Sequence, residues 1–222
     1  RTSPREMERL WRVPGLETLL RRLPDHDQRL AEALRDRPVV LGTSLSRTGL
    51  DLVSTPQSAS DAASSPYRLV RTGTHDPASW LQGYDAIVRP LPQLAAPAAG
   101  LGALNFNTDT DGVVRRVPLL LAYRGEVVPT LSAEALRVAQ DARNHLVRAN
   151  NTGIQDLRIG AVTIPTNPQG EVWLHYTERR DDRFVSAARV LEGRFPKEAI
   201  EGQIVLIGSS AAGLMDLRFN PM

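Results

Sequence analysis

The apolar residues of this chain come in short runs, each closed by glycine, proline or charge before it grows long. Val117 to Tyr123 spans only a few residues, and the stretch Leu94 to Leu104 is broken by Pro97, Gly100 and Gly102. Neither approaches the roughly 18 or more consecutive apolar residues of a membrane-spanning helix. Punctuation of this kind suits short strands and helices layered around a core. With 222 residues, 41% of them hydrophobic and 23% charged, the chain can bury roughly 70% of its unfolded surface and needs no covalent staple. It has no cysteine. That excludes a disulfide framework, a zinc ribbon and a thiol nucleophile, but leaves the compartment open.

The charges nearly cancel, at 27 Lys+Arg against 25 Asp+Glu, for a formal net charge of +2. Lys197 is the only lysine, a bias that reads as genome composition because no run of arginines is present. The sequence pI of 9.4 overstates the basic character. Little titrates between neutrality and pH ~10 except tyrosine, Lys197 and the amino terminus, so a small charge drifts slowly to zero. This balance argues against a nucleic-acid partner.

Along the chain, residues 1–24 read as an irregular N-terminal segment with a short helix. Asp25 to Asp27 offer N-cap carboxylates to a helix running through Arg37, with Leu30 and Leu34 one turn apart. Pro38 stops it, and Val39-Val40-Leu41 begins a buried strand. Residues 44–74, rich in Ser, Thr, Ala, Asp and Pro, read as a long loop region. Next come Gly102 to Phe106, an Asp109-Thr110-Asp111-Gly112 turn and Val113 to Tyr123, the pattern of a hairpin. A turn at Arg124-Gly125-Glu126 leads to Val127-Val128. A helix follows Thr130, with Leu131, Ala135, Val138, Ala142 and Leu146 at helical spacing. A second hairpin is expected from Ile159 to Ile164 and Val172 to Tyr176 around Pro165 to Gly170, then a short helix over Ala187 to Leu191. The closing run Ile204-Val205-Leu206-Ile207 reads as a strand buried on both faces. Two buried strands that each follow helical sequence, with hairpins between them, predict one α/β domain over residues 1–222. Its mixed central β-sheet carries β-hairpins and is flanked by helices.

Few constellations carry chemistry. Gly208-Ser209-Ser210-Ala211-Ala212-Gly213 begins like a phosphate loop, but Leu214 and Met215 stand where Lys and Ser/Thr are needed. The same segment approaches a nucleophile elbow around Ser210, yet no His follows it in the chain. Either it is a tight strand-to-helix turn with an exposed hydroxyl, or it is the core of a serine hydrolase with an unusual chain order. Asp109 and Asp111 resemble the start of a calcium loop, which Val113, Val114 and Leu120 then fail to continue. Arg115 and Arg116 adjoin these acids. They form either a salt-bridged hairpin or a site in which an arginine reaches an acidic ligand. His26, His75, His145 and His175 have no zinc spacing and read as surface or packing residues. Trp80 and Tyr84, one helical turn apart, read as packing. No metal or cofactor is expected.

Several blocks together resemble a known family. They are Gly102-Ala103-Leu104-Asn105 with Asp109, Asp111-Gly112-Val113-Val114-Arg115-Arg116-Val117-Pro118-Leu119, Pro129-Thr130-Leu131-Ser132, Gly202 to Gly208, and Gly213-Leu214-Met215-Asp216. In order and spacing they are similar to the extracellular CHASE sensor domains of the second type over roughly residues 25 to 222. The resemblance implies an α/β fold outside the cytoplasmic membrane, following one membrane helix and preceding others. Those lead to an adenylate or guanylate cyclase, a histidine kinase or a Ser/Thr kinase. It also implies that a first buried strand precedes Arg1 and that a Pro-Gly-rich continuation follows Pro221, so that the sheet presents an unpaired edge.

The function expected on this basis is that of an extracytoplasmic ligand-sensing domain of a bacterial transmembrane receptor. The fragment itself is non-catalytic and its ligand is an unidentified small molecule or peptide. Asn105, Asp109, Asp111, Arg115 and Arg116 either build the hairpin or line the ligand site; Ser209, Ser210 and Asp216 are equivalent candidates near strand ends. The expected partners are the membrane helices and cytoplasmic output domain of the same chain, with a homodimer in the full receptor. The alternatives are a hydrolase built on Ser210 and a purely structural dimerisation module.

Overall fold

A computed structural model of the chain describes residues 24–47, 69–178 and 180–208. The helix α1 (His26–Leu34) begins at Asp25, whose carboxylate accepts from the Asp27 and Gln28 N–H groups at 3.1 Å. It ends at Leu34, before the expected Arg37, because Asp36 takes a positive φ of 56°. Leu34 is buried, whereas Leu30 is exposed.

The strand β1 (Val40–Ser46) is flanked by β4 (Ala86–Val88), antiparallel, and β5 (Gly100–Ala103), parallel. A parallel bridge from Ala103 to Thr130 joins β5 to a second group in the order β3 (Gly83–Tyr84), β7 (Leu120–Tyr123), β8 (Glu126–Pro129). β7 and β8 form a hairpin with a two-residue loop. Both loop residues have positive φ, 48° at Arg124 and 82° at Gly125, as the right-handed twist of a hairpin favours. The expected α/β fold with mixed sheet pairing is present. A second sheet runs β11 (Val162–Pro165), β10 (Gly153–Ile159), β9 (His145–Asn150), β2 (Leu69–Gly73), with β2 parallel to β9.

Alternation along β7 and β8 divides the core. Leu120, Ala122 and Val127 pack with Val147, Ile154, Leu157 and Ile159 of the second sheet. Leu121 and Val128 pack with Leu45, Leu101 and Ala103. Strands buried on both faces account for the unbroken apolar sequence Leu119 to Ala122. The short helix α2 (Pro92–Ala95) precedes β5, helix α3 (Leu131–Ala139) lies on β5, and the glycines of β5 permit its approach. A Cβ on Gly102 would sit 2.5 Å from the Leu131 Cα, and one on Gly100 would sit 2.0 Å from the Glu134 Oε1.

Several expectations are corrected. The turn at Asp109 to Gly112 forms, with the Gly112 N–H donating to the Asp109 carbonyl at 2.9 Å, but its flanking strands do not pair with each other. β5 joins β1, while β6 (Arg116–Pro118) joins β12 (Glu171–Trp173). Likewise, the stretch Ile159 to Ile164 is not one strand. Gly160, with φ 56°, turns it into the β10–β11 hairpin, so Val172 pairs with Val117 instead. The helix after Thr130 stops at Ala139, because Asp141 has a positive φ of 49°; Leu146 belongs to β9. Within 44–74, β1 extends to Ser46 and β2 occupies Leu69–Gly73; residues 48–68 lie outside the described residues. Ile204 to Ile207 is not a buried strand. No described strand pairs with it, and its side chains are 54%, 47%, 77% and 96% exposed in order. The expected helix at Ala187 to Leu191 is present as α4 (Ala187–Leu191). The expected irregular segment before Pro24 also lies outside the described residues.

Candidate functional site

The segment 104–115, between β5 and β6, is held at three points. At its start, the Asn105 side chain accepts from the Leu45 N–H and donates to the Leu45 carbonyl, each at 2.7 Å, and so continues the sheet as a strand would. In its middle, the Asn107 amide donates to Gln82. At its end the acids and arginines close on one another. Arg115 donates to Asp111 through both Nη groups, at 3.0 and 2.8 Å, and to Asp109 at 2.9 Å. Arg116 donates to the other Asp109 oxygen at 3.1 Å, stands 3.5 Å from Glu171 and lies over the Trp173 ring at 5.4 Å.

These contacts set the electrostatics. Arg115, and then the Val113 N–H, hold the Asp111 carboxyl down at about 2. Arg115 and Arg116 lower Asp109 in the same sense, and the two acids raise Arg115 in return. Each charge in the loop already has a partner of opposite sign.

Two open cavities flank the segment, and Asn107 lines both. One, of about 500 Å³, is bounded by Ser44 and by Leu104 to Thr108. The other, of about 400 Å³, has Leu81, Pro118 and Leu120 as its apolar part and Arg47, Gln82, Gln169 and Glu171 as polar parts. Trp80 also lines it, and the Trp80 indole Nε1 is buried with no hydrogen-bond partner among the described residues. Arg47 donates through Nε to the Gly83 carbonyl at 3.3 Å and sits 5.7 Å from the Tyr84 ring centre. Burial pushes the Tyr84 hydroxyl up, partly offset by Arg47 and Asn105.

Of the residues expected from sequence, Asn105, Asp109, Asp111, Arg115 and Arg116 thus share one loop, while Ser209, Ser210 and Asp216 lie outside the described residues. Arg47, Trp80, Gln82, Asn107 and Glu171 were missed. Only Asn107 sits near the distinctive blocks, and no local spacing marks the others, which three separate stretches of chain supply. His145 is fully buried, while His26, His75 and His175 are exposed. Among the described residues no group of His, Asp and Glu could hold a metal ion, and no helix is long and apolar enough to cross a membrane.

A family model described as the CHASE2 domain matches residues 5–222. No curated protein and no solved structure shows a significant match.

Proposed function

The chain belongs to the CHASE2 family of extracellular sensory domains, and from that premise we propose that it is the ligand-sensing part of a bacterial transmembrane receptor. The match over residues 5–222 carries this reading. The family is sensory and non-catalytic on its own. In the proposed receptor, membrane helices on both sides connect the domain, outside the cytoplasmic membrane, to an adenylate or guanylate cyclase, a histidine kinase or a Ser/Thr kinase. Ligand binding biases that output by stabilising one of two domain conformations over the other, which requires unequal affinity for the two.

The site favoured is the segment 104–115 with its two cavities. Asp109, Asp111, Arg115 and Arg116 hold its shape, and a small molecule or peptide binds beside it. Ser209, Ser210 and Asp216 stay as candidate ligand-binding residues. A homodimer is proposed on the exposed run Ile204 to Ile207, because four adjacent apolar side chains facing water favour association.

The test is a thermal-shift screen of the domain against small anions, amino acids, short peptides and divalent cations, with Arg115→Ala as the loop control. A saturable rise in Tm for one class, reduced in Arg115→Ala, is expected. No shift with any class would refute the sensing role, and a shift unchanged in Arg115→Ala would refute the placement of the site. Sedimentation of the domain checks the homodimer, which Leu206→Asp should disrupt; a monomer at all concentrations refutes it.

A further inference from the structure

We propose that the cavity between Arg47 and Glu171 is a site for a free α-amino acid, bound as its zwitterion. This deepens the sensing role proposed above and rests on it. The first observation is the pairing of charges on the cavity wall. Among its lining residues Arg47 is the only cation and Glu171 the only anion. Arg47 uses Nε on the Gly83 carbonyl, and its two Nη groups have no partner among the described residues. Glu171 accepts from Asn167 and faces Arg116 through Oε2 alone, which leaves Oε1 as an acceptor. A lone anion here would meet the Glu171 carboxylate, and a lone cation would meet the Arg47 guanidinium. A ligand carrying both charges suits both, and rejects neither partner.

A ligand carboxylate is an acceptor of the right kind for a guanidinium fork. The second observation is the rest of the lining. Leu81 and Leu120 are buried and Pro118 adjoins them, an apolar surface for a side chain, while Gln82 and Gln169 supply neutral donors and acceptors. A volume of about 400 Å³ lies toward the small end of ligand cavities. The stacking of Arg47 on Tyr84 holds the guanidinium before a ligand arrives, which lowers the ordering cost of binding.

The test uses the whole domain and the twenty proteinogenic L-amino acids, followed by the N-acetyl and the carboxamide derivatives of any that bind, read by calorimetry. A zwitterion site binds the parent amino acid and weakens by about 10- to 100-fold when either charge is removed, the usual worth of one charge-assisted contact. Arg47→Gln should weaken the parent ligand to a similar degree, while Arg47→Lys restores part of it. Glu171→Gln should weaken the parent but not the N-acetyl derivative, which has no ammonium to lose. The melting curve of each variant, together with the partial rescue by Lys, separates lost binding from lost folding. If no amino acid binds while another class in the wider screen does, the zwitterion assignment fails and the sensing role stands. Should the N-acetyl derivative bind as tightly as the parent, the assignment fails as well. If nothing in the wider screen binds, both readings fall together.

Discussion

Glu134→Gln is expected to cost the fold about 3 kcal/mol, the low end of the roughly 3–5 kcal/mol lost when one member of a buried ion pair is removed. Glu134 and Arg137 lie one turn apart on α3, and their side chains are 2% and 8% exposed. The Arg137 Nε and Nη2 donate to the two carboxylate oxygens at 3.0 and 2.7 Å. Its remaining donors hold the Ala99 and Ala142 carbonyls, both at 2.9 Å, so the guanidinium also ties α3 to β5 and to the turn after the helix. Glutamine keeps the shape and one acceptor but turns an N–H₂ toward Arg137 and leaves its charge uncompensated. The retained shape and acceptor place the loss at the low end. For a domain of this size each kcal/mol moves Tm by about 2–4 °C, so the fall should be roughly 6–12 °C. Thermal melts followed by circular dichroism, with urea titrations alongside, measure it. A second variant, Glu134→Leu with Arg137→Met, removes both charges but orphans two carbonyls, each worth about 1–3 kcal/mol. It should therefore stay less stable than the parent. A Tm fall below about 3 °C for Glu134→Gln would show that water screens the pair, and would refute the argument from burial.

Three other perturbations follow from the same geometry. Asn105→Ala removes both contacts to Leu45 and should cost about 1–3 kcal/mol by urea midpoint; a neutral result would mean that Asn105 does not extend the sheet. Gly102→Ala places a methyl against the Leu131 backbone and should cost about 1–3 kcal/mol or prevent folding, whereas Gly112→Ala meets no atom within 4 Å and is strained only by its φ of 80°. The Asp111 carboxyl is held at about 2 in the folded state, below its ordinary 3.8, so its contribution to stability is complete above pH ~4 and is lost as pH falls toward 2. Carboxyl NMR titration should show this midpoint rise toward 3.8 in Arg115→Ala; an unchanged midpoint would refute the assigned cause.

Local chemistry made some of this fold legible and hid the rest. The Asp25 cap, the Arg124-Gly125 turn and helix α4 depend on neighbouring residues, and they form where the sequence places them. Pairing between distant strands is another matter. Asp-Gly at 111–112 does make a turn, but whether the strands beside it pair is decided by which partner buries each face. β5 finds β1, and β6 finds β12, because those pairings set α3 on Gly100 and Gly102 and bring Arg116 to Glu171. The run Ile204 to Ile207 shows the same limit from the other side. Four apolar residues specify a wish to be covered, but not what covers them.

The candidate site divides along that line. Opposite charges four to seven residues apart form ion pairs by proximity alone, so the Asp109, Asp111, Arg115 and Arg116 cluster is readable from the sequence. The cavity is not, because Arg47, Trp80, Asn107 and Glu171 come from separate stretches and no spacing relates them. The sequence by itself determined the class of fold and the charges that lock the loop, matters of composition and of near neighbours, while the ordered motif blocks carried the resemblance to the family. Only the tertiary structure decided which side chains face a common cavity, because long-range strand pairing brings Arg47, beside β1, and Glu171, on β12, to one wall.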